Sequence, residues 1–202
     1  MISIVNYGVS NVGSMLNMMK KIGVPAETVS TPAQIQRAEK IILPGVGAFD
    51  HGMSALMELD LAEPLKRRIV QDRVPILGVC LGMQMLAKGS EEGILSGLNL
   101  IDGYCMRFNS DGDPLVRVPH MGWNVLAIRR KSELLEGLER ARFYFVHSYH
   151  LVCSDRADVL ATSRYGIEFT AVVQRDKVWG TQFHPEKSHR FGMTLLSNFA
   201  RL

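Results

Sequence analysis

The sequence predicts an α/β fold: a single domain over residues 1–202 with a mostly parallel central sheet, flanking helices and an added antiparallel portion. In the first half, short apolar segments alternate with segments of helical periodicity, which is typical of parallel strands joined by crossover helices. In the second half, short apolar segments follow one another across brief turns, as in antiparallel sheets. The length suits one core, and no linker, repeat or low-complexity tract divides it.

Strands and helices alternate through the first half. Each predicted strand is a short apolar run, and each predicted helix has apolar residues at three- and four-residue spacing. The predicted strands are 2–6, 26–29, 40–43 and 74–79, and the predicted helices are 12–22, a short one near Ala33, 61–71 and 82–88. The apolar side of the 61–71 helix comprises Leu61, Leu65, Ile69 and Val70, and the apolar stripe of the 12–22 helix comprises Met15, Leu16, Met18 and Met19.

The second half is predicted to be mainly strand, with one helix at the end. Ser188 is expected to cap that helix, because a serine hydroxyl can accept a hydrogen bond from the first turn. The predicted strands are 98–108, 123–128, 143–146, 159–163, 170–174 and 177–182, and the final helix is 191–202.

Composition excludes several classes of protein. Hydrophobic residues make up 47% and charged residues 21%, as in an ordinary globular protein. The net charge of +3 is small and scattered, so we expect no nucleic-acid partner; the short basic runs at 66–68 and 129–131 are expected to be solvated surface. No apolar run is long enough to span a membrane, and no signal peptide is apparent. Three cysteines without a disulfide pattern favour a reducing compartment, so we expect a cytoplasmic protein.

The most informative residue is Cys80, within Gly-Val-Cys-Leu-Gly-Met-Gln over residues 78–84. It stands where a strand passes into a helix, and the flanking glycines allow the sharp turn that a nucleophile elbow needs. A thiol near a helix N-terminus is favoured as thiolate. A buried structural cysteine is an equally good interpretation of this segment alone.

A second segment, Phe-His-Pro-Glu at residues 183–186, strengthens the catalytic interpretation. His184 and Glu186 are two residues apart, so on an extended chain they would project to the same face. A cysteine, a histidine and an acid that orients the histidine are the components of nucleophilic catalysis. We therefore predict a thioester intermediate on Cys80 with a carbonyl substrate.

Residues 44–47, Pro-Gly-Val-Gly, follow a predicted strand and form either a plain turn or an oxyanion hole. In the second interpretation, backbone N–H groups of Val46 and Gly47 stabilise negative charge on the former carbonyl oxygen. The N–H of Leu81, directly after the nucleophile, is the expected partner donor.

Two aromatic segments carry less certain information. Residues 144–150 contain two histidines, but no third ligand at suitable spacing, so no metal site is predicted. Residues 119–124 are expected to form an apolar turn around Trp123. That turn is either a corner of the core or a contact surface for a partner.

Together these motifs resemble the class I (triad) glutamine amidotransferases, and within them the glutaminase subunits of imidazole glycerol phosphate synthases. The resemblance covers essentially the whole chain. It implies that Cys80 is the nucleophile, His184 the base and Glu186 its orienting acid. It further implies that L-glutamine is hydrolysed without a cofactor. Ammonia would pass, in a heterodimer, to a (β/α)8 barrel cyclase subunit that forms imidazole glycerol phosphate and AICAR in histidine biosynthesis.

The resemblance also assigns binding residues. The positions at which that family holds glutamine correspond to Gly47, Gln84, Glu92, Ser148 and Tyr149. The positions on its synthase-facing side correspond to Asn11, Met121, Gly122, Trp123 and Lys187.

Three positions depart from the family pattern. Asn6 stands where aspartate is usual, and Ser10 and His189 stand where glycine is usual. Related glutaminases supply ammonia to sugar amidotransferases of surface-polysaccharide pathways, so that partner is the alternative. A catalytically silent binding subunit and a stand-alone cysteine hydrolase are two further alternatives.

Overall fold

A computed structural model of the chain describes residues 1–109 and 116–202. The strands are β1 Ile2–Val5, β2 Ala26–Val29, β3 Ile41–Gly45, β4 Ile76–Cys80, β5 Gly103–Arg107, β6 His120–Val125, β7 Ala127–Ile128, β8 Arg142–His147, β9 Tyr149–Cys153, β10 Val159–Tyr165, β11 Ile167–Arg175 and β12 Val178–Thr181. The α-helices are α1 Val12–Lys21, α2 Pro32–Arg37, α3 Phe49–Glu58, α4 Ala62–Val70, α5 Leu81–Met85 and α6 His189–Arg201. Short 3-10 turns occur at Glu133–Leu135, Arg156–Asp158 and Pro185–Lys187.

The central sheet has the order β2-β1-β3-β4-β12-β11-β10-β7. Strands β2, β1, β3, β4 and β12 are parallel, and β11, β10 and β7 continue the sheet antiparallel. Two ribbons, β5 with β9 and β6 with β8, lie outside this sheet. The predicted fold class is therefore confirmed. Ligands of such sheets bind beyond the carboxyl ends of the parallel strands, where β4 ends at Cys80.

Both faces of β1, β3 and β4 are covered, which explains why their sequences are largely apolar, whereas the edge strand β2 is partly exposed. Successive residues of a strand point to opposite faces. In β3, Ile41 and Leu43 pack into one core cluster with α3 and α4, whereas Ile42 packs into the other with α1 and α6. No helix in residues 1–109 or 116–202 is long and apolar enough to cross a membrane.

The sequence-based element predictions were wrong at several places. Helix α3 was not predicted, because Gly47 and Gly52 interrupt its pattern; a Cβ on Gly52 would lie 2.8 Å from Met85 Sδ, so this glycine allows close packing against α5. Strand β9 was also missed, since it follows β8 after one residue. In α4, Val70 is exposed rather than on the buried side.

Three other segments differ in type or length. Residues 98–102 do not continue β5, and α5 ends at Met85 rather than at residue 88. The predicted turn at 119–124 is instead mostly strand β6, because its backbone pairs with β8 from His120 to Val125. Met15 and Met19 are buried as predicted, and Leu16 and Met18 pack partly buried against the core.

Candidate active site

Cys80 is the last residue of β4 and the residue immediately before α5. Its backbone lies at φ 54° and ψ −109°, a conformation that non-glycine residues rarely adopt. Such strain is typical of a nucleophile elbow, in which the chain turns sharply to present a side chain. A Cβ on Gly82 would lie 1.8 Å from the Leu43 carbonyl oxygen, so only glycine lets α5 approach β3 this closely.

The thiol of Cys80 is 7% exposed and faces three polar groups. Its Sγ lies 3.9 Å from the Val146 carbonyl oxygen, and Gln182 Nε2 donates to it at 3.8 Å. His184 lies close enough to the same thiol to interact with it electrostatically, and this interaction raises the pKa of the imidazole. Cys80 is thus a thiol at a strained turn next to a histidine, which suits a nucleophile better than a purely structural cysteine.

His184 and Glu186 are hydrogen-bonded through Nδ1 and Oε1 at 2.7 Å, and both side chains are buried. Burial alone would lower the pKa of His184, but its interactions with Cys80 and Glu186 outweigh burial and raise it to about 10. The histidine is therefore held ready to carry a proton. A carboxylate on Nδ1 leaves Nε2 for the thiol, as in other nucleophile–histidine–acid arrangements.

The predicted reason for this pairing was wrong, although the two side chains do meet. Residues 185–187 form a 3-10 turn rather than a continued strand, so the turn and not an extended face brings Glu186 back to His184. Strand β8 holds this turn in place: the His184 N–H donates to the Tyr144 carbonyl at 2.9 Å. Pro185 opens the turn, where a missing N–H costs nothing.

Ser188 contributes to the same anchor. It occupies the N-cap position of α6, as predicted, but its hydroxyl makes no capping hydrogen bond. Instead the hydroxyl accepts from the Tyr144 N–H at 3.0 Å and donates to the His184 carbonyl at 2.6 Å. The serine therefore fixes the His184 backbone to β8.

The predicted oxyanion donors lie on the two segments that flank the elbow. Gly45 pairs with Cys80 in the register of β3 and β4, which places the 45–47 segment next to the elbow. Leu81 is the first residue of α5, so its N–H has no carbonyl partner one turn earlier. The N–H of Val46, however, donates to the Val9 carbonyl at 3.0 Å, and Gly47 lies at φ +91°.

The five predicted glutamine-binding residues lie on segments around Cys80. Gln84 is buried in α5, and its Nε2 donates to the Tyr149 carbonyl at 3.0 Å and to Gln182 Oε1 at 3.1 Å. Ser148 and Tyr149 form the junction of β8 and β9. Glu92 Oε2 accepts the Phe49 N–H at 2.9 Å, at the start of α3. Gly47 closes the predicted oxyanion loop.

Four of the five predicted partner-facing residues are exposed, and Gly122 is half-buried. Trp123 is 46% exposed and Met121 61% exposed on β6, so the interpretation of Trp123 as a core corner is wrong. The Trp123 ring stacks on His189 with centroids 5.5 Å apart. Gly122 lies between Met121 and Trp123 at φ +136°. The Lys187 ammonium group lies over the Tyr144 ring, and Asn11 caps α1 through its side-chain Oδ1.

Sequence reasoning missed Gln182 as a site residue. It is buried, accepts from Gln84 and donates to Cys80 Sγ, so it joins helix α5 to the thiol. Its position two residues before His184 was a usable signal, since a buried glutamine at a strand end needs polar partners. No group of three or more His, Cys, Asp or Glu that could hold a metal occurs in the part of the chain the structure describes.

Comparisons with known proteins agree with this geometry. The profile of the family Glutamine amidotransferase class-I matches residues 3–202. The chain is 48% identical over 202 residues to imidazole glycerol phosphate synthase subunit HisH 2 of Methanococcus maripaludis, covering 100% of this chain and 99% of that one. It is 49% identical to the subunit HisH 2 of Pseudomonas aeruginosa, covering all of both chains. In fold it is similar to the structure of PurLQS from Thermotoga maritima, with a TM-score of 0.76, 19% identity and coverage of 99% and 97%.

Proposed function

This chain belongs to the class I glutamine amidotransferase family, and we propose that it is the glutaminase subunit of imidazole glycerol phosphate synthase in histidine biosynthesis. It hydrolyses L-glutamine to glutamate and ammonia, and it supplies the ammonia to a synthase subunit. The observation that carries the proposal is the thiol of Cys80 at a strained elbow, next to a His184 imidazole that is hydrogen-bonded to Glu186. Relatives at 48% and 49% identity over the full chain bear the synthase name.

The reaction begins when Cys80, its proton held by His184, attacks the side-chain carboxamide carbon of glutamine as a thiolate. The tetrahedral intermediate collapses, the C–N bond breaks, and His184 returns the proton to the departing ammonia. Water, deprotonated by His184, then attacks the thioester and releases glutamate and the thiol. Glu186 holds the imidazole in the required tautomer and stabilises its charged form.

Negative charge on the former carbonyl oxygen needs backbone donors. Leu81 N–H is one, because as the first residue of α5 it has no carbonyl partner within the helix. The second comes from the Val46–Gly47 segment once the Val46 N–H leaves the Val9 carbonyl. Glutamine itself is held by Gly47, Gln84, Glu92, Ser148 and Tyr149, all on segments around the elbow.

The partner proposed for the exposed β6 surface is a (β/α)8 barrel cyclase subunit, in a cytoplasmic heterodimer. Trp123 and Met121 offer a large apolar contact area, which is favoured at the centre of an interface. Gly122, Asn11 and Lys187 complete this surface. A sugar amidotransferase as partner is not favoured, since the relatives bear the histidine-pathway synthase name.

The proposal is tested by complementation of a histidine auxotroph that lacks only its glutaminase subunit. The wild-type chain should restore growth without histidine at limiting ammonia, and Cys80→Ala should not. High ammonia should rescue the Cys80→Ala strain, because the synthase then needs no glutaminase. Failure of the wild-type chain, when it is expressed and folded, would contradict the proposed function.

A further inference from the structure

A row of hydrogen-bonded groups lies behind the junction of β8 and β9, and the proposed reaction does not use it. Asn124 Nδ2 lies 3.4 Å from His120 Nε2, His120 Nδ1 lies 3.0 Å from His147 Nε2, and His147 Nδ1 lies 2.8 Å from the Tyr149 carbonyl. These four residues are called the histidine relay below. It connects strand β6 to the junction that carries Ser148 and Tyr149.

The two ends of the relay set the direction of every bond. The Tyr149 carbonyl only accepts, so His147 carries its proton on Nδ1 and, when neutral, accepts at Nε2. His120 must then donate from Nδ1 and accept at its own Nε2. At the other end, the Val125 N–H donates to Asn124 Oδ1 at 2.8 Å, which leaves Asn124 Nδ2 to donate towards His120. Both ends impose the same tautomer on both rings.

Burial keeps the two rings neutral. It lowers the pKa of His120 to about 4 and that of His147 to about 3. The neighbouring His150 and His184 lower the pKa of His147 further by repulsion, while Glu91 acts in the opposite sense on His150. A proton on His147 Nε2 would face the Nδ1–H of His120 at 3.0 Å, so charging that ring breaks the relay.

The relay meets the candidate active site at one oxygen atom. The Tyr149 carbonyl accepts from His147 Nδ1 and also from Gln84 Nε2. Gln84 donates in turn to Gln182, whose Nε2 reaches Cys80 Sγ. Loss of the His147 donor would leave this carbonyl with one partner and free the junction that precedes β9.

Resting on the proposed function, we propose that His120 and His147 are positioning residues for glutamine, which hold Ser148 and Tyr149 in their substrate-binding geometry through the relay. The rings act through the Tyr149 backbone, not on the reacting atoms. If the junction of β8 and β9 is loosened, glutamine must order it on binding. The free energy spent on that ordering weakens glutamine binding. The relay should therefore affect the KM for glutamine more than kcat.

Steady-state glutaminase kinetics of the complex with the synthase subunit test the proposal. His147→Leu removes the donor and should raise the KM for glutamine on the order of tenfold, as expected for one buried hydrogen bond. His147→Asn keeps an amide N–H at the Nδ1 position and should recover most of that loss. His150→Phe is the matched control, because His150 is buried in the same aromatic cluster and its Nδ1 has no hydrogen-bond partner among the described residues; its KM should equal that of wild type.

Two kinetic outcomes overturn the positioning role: an unchanged KM in His147→Leu, or equal losses in His147→Leu and His147→Asn. A folded wild-type complex that does not hydrolyse glutamine would instead overturn the proposed function. Ring ¹⁵N NMR of the wild-type chain tests the tautomers that the relay requires, and it does so even if His147→Leu fails to fold. Both His120 and His147 should be neutral at neutral pH, with Nδ1 protonated and Nε2 bare, and a proton on Nε2 of either ring overturns the relay.

Discussion

The backbone N–H of Val46 donates to the carbonyl oxygen of Val9 at 3.0 Å, and so it is not free to stabilise an oxyanion at Cys80. One of the two proposed oxyanion donors is therefore occupied, while Leu81 N–H remains at the start of α5. Glycines flank Val46 on both sides, so the Gly45–Val46 peptide can rotate at low cost. In this structure the proposed oxyanion hole is therefore incomplete.

We expect the isolated chain to be a poor glutaminase that becomes active when its synthase partner and acceptor ligand bind. One missing oxyanion donor costs about 10²–10³ in rate, so activation of that order is expected. Steady-state glutaminase assays on the free subunit and on the complex measure it. Full activity of the free subunit would refute this prediction.

Cys80→Ala and Cys80→Ser should both abolish glutamine hydrolysis, because neither can form the thioester. Ammonia-dependent turnover by the synthase should survive in the same complexes, since ammonia enters after this step. Both activities are measured on one preparation, so the second serves as the control for assembly. Retention of more than about a hundredth of the wild-type glutaminase activity would contradict the role of Cys80.

His184→Asn should cost nearly as much activity as the loss of Cys80, whereas Glu186→Gln should cost less. The imidazole moves the proton, while the acid only orients and polarises it, and comparable acids contribute about 10⁴ against about 10⁶ for the base. The measurement is kcat for glutamine hydrolysis in the complex, with folding checked by circular dichroism. Equal losses in folded His184→Asn and Glu186→Gln would argue against this division of roles.

Trp123→Ala should weaken association with the synthase by about 2 kcal/mol or more, because a large exposed indole at an interface is a typical hot spot. Since Trp123 is 46% exposed, the melting temperature of the free subunit should hardly change. Val70→Ala on α4 is the control: Val70 is 66% exposed and lies outside the proposed interface, so its affinity should equal that of wild type. Marked instability of Trp123→Ala with unchanged affinity would exclude the interface role.

Acid should destabilise the fold through His120 and His147. Burial lowers their folded pKa values to about 4 and about 3, below the ordinary value of about 6.5 in the unfolded chain. Between the folded pKa values and about pH 6.5, the unfolded chain binds more protons than the folded chain. The contribution of these two rings to the free energy of unfolding is therefore fully present above about pH 6.5 and is lost as the pH falls. The pKa of His184 is raised, so this ring is charged in both the folded and the unfolded chain at acid pH. It therefore does not contribute to the change of stability with pH in this range.

Urea unfolding across this acid range measures the effect as the free energy of unfolding against pH. The double variant His120→Asn with His147→Asn should show a shallower decline, because its amides do not titrate. An equally steep decline in wild type and in the double variant would contradict the assignment to these two rings.

Local sequence patterns predicted most of the parallel half. Strands β1, β3 and β4 are short, largely apolar runs buried on both faces, and the glycines around Cys80 indicate a sharp turn from strand to helix. The patterns failed where backbone pairing decided the conformation. Strand β6 looked like a turn because of Pro119 and Gly122, yet its pairing with β8 makes it a strand.

The sequence by itself determined the chemical components: a cysteine at a glycine-flanked elbow, and a histidine and an acid within four residues of each other. Only the tertiary structure decided their relations. It brings residues 80 and 184 together through the parallel pairing of β4 with β12, and it pairs the Val46 N–H with the Val9 carbonyl. It also shows that Trp123 is exposed and that His120 meets His147. The physical reason is that residue type and local spacing are properties of a segment, whereas burial and hydrogen-bond partners depend on residues distant along the chain.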